Sequence, residues 1–175
     1  MIVYDARGAE VQLGAPLAQG GEAIVYRVVG RADSLAKLYV PAPRPDYTKK
    51  VEWMVGHPPS VPDLSLRHLF VAWPTGMLYN RRGQFVGYLM PYIREAVPLL
   101  HVYSPKLREQ TLPHFDMRYR YRAAQHLAYV LGILHEQGYI VGDLNESNIL
   151  VTPSALVTLI DVDSFQVWRT ERGHH

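Results

Sequence analysis

The sequence predicts an α+β fold in two lobes: a five-stranded antiparallel sheet with one helix over residues 1–93, then a shortened, mainly helical lobe over 94–175. Three observations carry this reading. Short β-branched and aromatic runs punctuated by Gly-rich breaks occupy the chain before Pro91. One long helical stripe follows. A polar loop and a compact two-strand pattern then fill residues 139–165.

In the first lobe, Val11–Leu17, Ala23–Val29 and Leu35–Val40 alternate with the breaks Gln19-Gly20-Gly21-Glu22 and Gly30–Ser34, which reads as a three-stranded meander. Pro41–Pro45 makes an irregular connection. Asp46 is placed to cap a helix over 46–56, stopped by Gly56-His57-Pro58-Pro59. His68–Trp73 and Gln84–Ile93, joined through a turn at Asn80-Arg81-Arg82-Gly83, are expected to complete the sheet. Beyond Pro98, residues 118–137 place Ala123, Leu127, Val130, Leu131 and Leu134 on one helical stripe, and Gly138 ends it as a C-cap.

Composition narrows the classes. Of 175 residues 48% are apolar and 19% charged, enough for a core and too little charge for a disordered chain. The net charge of +2 gives no general attraction to nucleic acid. The run Arg118-Tyr119-Arg120-Tyr121-Arg122 reads as the solvated start of a helix, so nucleic acid is not an expected partner. There is no cysteine, which excludes disulfides and thiolate metal sites, and the eight histidines show no zinc-ligand spacing. No apolar run reaches the ~18 residues of a membrane span, and a cytoplasmic location is the expectation.

The most informative stretch is Val141-Gly142-Asp143-Leu144-Asn145-Glu146-Ser147-Asn148, followed by Ile149–Val151, a turn at Pro153-Ser154, and Val157–Ile160 ending on Asp161-Val162-Asp163. A hairpin there brings Asp143, Asn148 and Asp161 to one end of its strands. Three oxygen-bearing side chains suit a hard cation such as Mg²⁺, which keeps several waters and takes one or two carboxylates. Asp163, two residues on, shares the face of Asp161 if the segment is extended. Taken alone the spacing also fits an ordinary turn, since Asn and Asp are common turn residues.

This wording resembles the protein-kinase-like phosphotransferases, whose catalytic loop H-R-D-L-x-x-x-x-N is followed by a hairpin and D-F-G. More narrowly, V-G-D-L-N-E-S-N and D-V-D-S-F resemble the atypical bacterial kinases of tellurium-resistance and stress-response gene clusters, some of which carry a helix-hairpin-helix region. Further family parts occur in order upstream. The turn around Ala18, Gly20 and Gly21 is similar to the glycine-rich phosphate loop, Leu35-Ala36-Lys37 to the strand bearing the phosphate-binding lysine, and Leu89–Ile93 to the hinge.

The resemblance implies an ATP- and Mg²⁺-dependent serine/threonine-type phosphotransferase. It assigns Asp143 as catalytic base, Lys37 to the phosphates with Glu52 as its helix partner, and Asn148 and Asp161 to the metal with support from Asp163. It further implies that Val25, Ala36 and Leu150 clamp the adenine, that Met90 is the gatekeeper, and that Pro91 C=O and Ile93 N–H meet the base. Read from residues alone, a Gly-Gly hairpin, an edge-strand lysine and a solvated helix glutamate remain open for these positions.

Three departures stand out. Val141-Gly142 replaces H-R, Asn145 replaces a lysine that neutralises phosphate, and Asp163 replaces the glycine of D-F-G. They leave a nucleotide-binding pseudokinase scaffold as an alternative. Gly142-Asp143 with Asp161-Val162-Asp163 also resembles aminoglycoside-type kinases, which act on small molecules. The acceptor, protein or small-molecule hydroxyl, is left open. The short second lobe implies a fragment or minimal form, with apolar surface inviting self-association or a partner.

Overall fold

A computed structural model describes residues 1–43, 45–60 and 68–167 of the protein. Its contacts divide the chain into two units, Met1–Pro58 with Ala72–Ile93, and Pro59–Val71 with Arg94–His175.

The first unit is built on six strands: β1 (Ile2–Asp5), β2 (Glu10–Gln19), β3 (Ala23–Val28), β4 (Arg31–Tyr39), β5 (Gly76–Tyr79) and β6 (Phe85–Pro91). They pair antiparallel in the order β1-β2-β3-β4-β6-β5, and β1 meets β5 through Tyr4↔Tyr79 and Asp5↔Leu78 to close a barrel. The expected open five-stranded sheet is therefore corrected in two places. Ile2–Asp5, only four residues long, forms a strand because it completes the hydrogen bonding of two edges at once. The run His68–Trp73 does not form the expected strand; Gly76–Tyr79 takes that place. Phe70, Val71, Ala72 and Trp73 are all buried, and the run pairs only through one isolated parallel bridge, Val71 with Leu159, outside this sheet. Trp73 is held instead by its indole N–H, which donates to Met54 O at 2.6 Å.

Alternation along β4 separates two cores. Ala36 and Leu38 point into the barrel with Val3, Val11, Leu13 and Leu89. Leu35 packs on the opposite face with Val51, Met77, Phe85, Tyr88 and Met90, where α1 (Pro45–Gly56) covers the sheet. The helix buries Val51 and Met54 and leaves Glu52 exposed.

The second unit centres on α4 (Met117–Glu136). Asp116 caps it, its carboxylate accepting from Arg118 N–H at 2.8 Å and Tyr119 N–H at 3.2 Å. Ala123, Val130, Ile133 and Leu134 form its buried stripe. Gly138, at φ +81°, follows the last turn and donates to His135 O at 3.0 Å. Upstream lie β7 (Val97–Pro98), α2 (Leu100–Tyr103) and α3 (Pro105–Thr111). Downstream, β8 (Tyr139–Ile140) pairs with β11 (Gln166–Val167), and the predicted hairpin is β9 (Ile149–Val151) with β10 (Val157–Leu159).

Candidate functional site

In the first unit the turn joining β2 to β3 is closed by Gly20 N–H donating to Ala23 O at 2.9 Å, with Ala18 paired to Val25. Neither Gly20 nor Gly21 has a positive φ. A Cβ would meet nothing closer than 3.7 Å at Gly20 and nothing within 4 Å at Gly21. The fold itself makes no demand for glycine at these positions. Their lack of side chains leaves exposed backbone open to close approach.

Lys37 lies between Val25 and Tyr88 in register, half-buried, with its ammonium 5.8 Å from the Tyr39 ring centroid and 5.9 Å from that of Tyr88. Aromatic faces temper the cost of part-burying this charge. Ala36 does not share that face: it is fully buried inside the barrel. The adenine-clamping position assigned to it by resemblance is thus on the wrong side of β4, because adjacent strand residues point oppositely. Leu35, paired with Met90, is the residue on the Lys37 face. Glu52 is exposed on α1, next to the buried Val51.

Pro91 ends β6 opposite Ser34, and Tyr92 N–H donates to Asp33 O at 2.9 Å. The Tyr92 hydroxyl accepts from Arg27 Nη2 at 3.3 Å while the guanidinium sits 4.9 Å from the ring centroid. This tether was invisible in the sequence, since 65 residues separate its members. Ile93 follows, half-buried.

In the second unit the polar loop is tightly organised. Asn145 Oδ1 accepts from Ser147 N–H at 2.9 Å, Ser147 Oγ at 2.6 Å and Asn148 N–H at 3.2 Å. Asp143 accepts at both carboxylate oxygens, from Asn145 Nδ2 and from Asn148 Nδ2, each at 3.0 Å. Asn148 Nδ2 also donates to Asp143 O at 3.2 Å. That commits the amide nitrogen of Asn148 to the loop; its oxygen is the harder donor. Leu150 sits in β9 opposite Thr158 and Pro98.

The hairpin register continues through Ile160 N–H, which donates to Asn148 O at 2.9 Å and sets Asp161 beside the loop's end. Asp161 adopts φ +60°, ψ +39°, a left-handed conformation that costs a non-glycine residue about 1–2 kcal/mol. A 3₁₀ turn over Val162–Ser164 follows. The segment is therefore not extended, and the expectation that Asp163 shares the face of Asp161 by strand alternation is overturned. Asp163 is instead 2% exposed within that turn.

Gly142 has a steric reason to carry no side chain. A Cβ there would overlap the Ser164 carbonyl oxygen, so the 3₁₀ turn packs directly on bare backbone. The loop is also braced from upstream. Leu99 N–H reaches Glu146 O at 3.1 Å and Ile149 O at 2.8 Å. The Tyr103 phenol has its pKa raised by desolvation first and then by the nearby Glu146 carboxylate. Among the described residues no group of three or more His, Cys, Asp or Glu side chains converges to hold a metal by itself. One aspartate with one amide oxygen fits Mg²⁺ only where a ligand and water complete its shell. Among the described residues, no helix is long and apolar enough to cross a membrane.

The chain is 34% identical to "Protein kinase YegI" of Escherichia coli K12 over 166 residues, and equally to the same-named protein of Escherichia coli O157:H7. The match takes in 94% of this chain and 25% of each relative, so the chain spans about a quarter of their length. A crystal structure of a rhoptry kinase from Toxoplasma gondii superposes with a TM-score of 0.58 at 14% identity, over 95% of this chain and 50% of that one. No protein-family model matches the chain.

Proposed function

We propose that the chain is a protein-kinase-like, ATP- and Mg²⁺-dependent phosphotransferase acting on a hydroxyl acceptor, a reading supported by its 34% identity to proteins named as protein kinases. The observation that carries the reading is the Asp143 carboxylate, exposed at a loop and fixed at both oxygens by neutral amide donors. A carboxylate held this way keeps lone pairs for an incoming hydroxyl proton and cannot swing away from it.

The first unit supports nucleotide binding through the open backbone at Ala18, Gly20 and Gly21, the cation of Lys37, and the Leu35, Val25 and Met90 face. Pro91 and Ile93 offer hinge backbone. Glu52, exposed on α1, is the helix carboxylate offered as the partner of Lys37. In the second unit Asn148 Oδ1 and Asp161 would hold Mg²⁺ as hard oxygen donors, and Leu150 lies two residues after Asn148. Bound MgATP supplies the transferable phosphoryl group. The chain's own work is to orient it, to position the acceptor, and to take the hydroxyl proton onto Asp143.

Asn145 supports a second reading, a nucleotide-binding scaffold without turnover. A neutral side chain at that position withholds a positive charge from the transferring phosphate. A hydroxyl of a protein is the acceptor class that the relatives' name, protein kinase, favours.

Paired variants test the proposal. Asp161→Asn is expected to weaken Mg²⁺-dependent ATP binding in calorimetry. Asp143→Asn is expected to leave that affinity nearly unchanged while lowering radiolabel transfer by about 10²–10⁴-fold. Equal loss of ATP binding in both would erase the distinction between the two roles. Full transfer by Asp143→Asn would leave the scaffold.

A further inference from the structure

We propose that Asn145 is a positioning residue for the loop: it acts through Asp143, as a neutral clamp that orients the carboxylate. The inference rests on the reading of Asp143 as catalytic base, and deepens it.

The geometry assigns two jobs to one side chain. Through Oδ1, Asn145 gathers Ser147 N–H, Ser147 Oγ and Asn148 N–H, which folds the loop into a tight turn. Its backbone oxygen adds a bond from Asn148 N–H at 3.1 Å. Through Nδ2 the same amide reaches back to Asp143 Oδ1 at 3.0 Å. Asn148 holds the other oxygen, Oδ2, also at 3.0 Å. With one donor the carboxylate could still rotate about Cβ–Cγ, a broad and soft torsion. Donors on both oxygens remove that freedom.

The clamp and the turn are one object, because the amide that donates to Asp143 is the amide that closes the loop. A lysine at this position could donate to Asp143 but has no acceptor for the two backbone N–H groups. An alanine has neither. Only a side chain with donor and acceptor on one short planar group does both, and asparagine is that group. Glu146, whose backbone oxygen accepts from Leu99 N–H, fixes the loop from its other side. The clamp therefore closes on a braced frame.

The test uses a residue swap. Asn145→Asp keeps the acceptor, and so the turn, but replaces the donor by a second carboxylate facing Asp143. It is expected to lower kcat by about 10²-fold, the scale of a small misplacement of a reacting group, with KM for ATP changed less than twofold. In the double variant Asp143→Asn with Asn145→Asp the hydrogen bond is restored with its direction reversed. Its urea midpoint is expected to return toward that of the wild type from the lower value of Asn145→Asp alone, a coupling that needs no activity to be read. Asn145→Ala, losing turn and clamp together, is expected to lower both kcat and the midpoint.

A wild-type kcat in Asn145→Asp, or a swap whose midpoint stays at or below that of the single variant, overturns the clamp. Equal rises in KM and falls in kcat overturn it too, because they mark general damage to the site. If the swap recovers stability while the wild-type chain transfers no phosphate to any acceptor, the function proposed above fails. The positioning role then fails with it, although the contact stands.

Discussion

At the scale of single residues, the loop shows why substitutions that look disabling in a sequence can be structural accommodations. Gly142 stands where a family member carries arginine, and the Ser164 carbonyl occupies the space that any side chain would need. The overlap is with backbone, so no rotamer change relieves it. Gly142→Ala is expected to destabilise the second unit by about 1–3 kcal/mol, as other overpacking substitutions do. Urea unfolding monitored by circular dichroism would show it, and an unchanged midpoint would mean that the turn over Val162–Ser164 gives way freely. Lys37 makes a different case. Its charge is half-buried beside Tyr39 and Tyr88 rather than built into either apolar core. Lys37→Ala is expected to weaken ATP binding in calorimetry while the unfolding midpoint stays close to wild type. A large fall in the midpoint would instead make Lys37 a structural residue.

At the scale of elements, the β9–β10 hairpin is anchored through two histidines. His126 Nδ1 accepts from Val157 N–H at 3.0 Å, and His68 Nε2 lies 2.9 Å from Val157 O, to which it donates. One strand residue is thus tied on both its backbone groups. The imidazoles lie 5.7 Å apart, and Arg122 and Tyr129 also face His126. Burial first, then His68 and Arg122, holds the His126 pKa below the ordinary imidazole value of 6.5. A base whose pKa is depressed in the folded state binds fewer protons there than when unfolded. Its contribution is therefore present above the ordinary value and lost as pH falls below it. Protonating Nδ1 would also remove the acceptor for Val157 N–H. The midpoint of the second unit is expected to fall as pH drops below about 6.5, and His126→Leu is expected to flatten that slope. An identical pH profile in the variant would assign the slope to other groups. The capping of α4 by Asp116 works in the same direction at lower pH. Hydrogen bonding from Tyr119 N–H first, opposed in part by desolvation, and then from Arg118 holds its pKa below the usual carboxylate value.

At the scale of the whole molecule, the first unit is defined by barrel closure. Val3 is 4% exposed inside the barrel, while its neighbour Ile2 is 50% exposed outside it. A strand of four residues contributes this much because both of its edges find partners, β2 on one side and β5 on the other. Val3→Thr places an unpaired hydroxyl in the barrel core and is expected to cost about 1–3 kcal/mol. Ile2→Thr, on the solvent face, is expected to stay within about 0.5 kcal/mol of wild type. Equal effects at both positions in urea titrations would show that β1 does not hold this alternation in solution.

The sequence by itself determined whatever depends on neighbours close in the chain. The α4 stripe and the stop at Gly138 were legible from spacing, and so was the hairpin that sets Asn148 beside Asp161, because turn chemistry and periodicity act over a few residues. Only the tertiary structure decided what depends on partners far away. Ile2–Asp5 is too short to announce itself and becomes a strand only between two distant edges. His68–Trp73 has a strand's composition, yet Trp73 spends its N–H on Met54. Ala36 and Lys37 are adjacent, so which of them faces the α1 side of the sheet depends on how β4 is set between β3 and β6. Asp161 takes a left-handed conformation ahead of a 3₁₀ turn where the letters suggest an extended segment, and that turn packs on Gly142. Packing, not pattern, made each of these choices, since burial can be read from apolar letters but the partner that supplies it cannot.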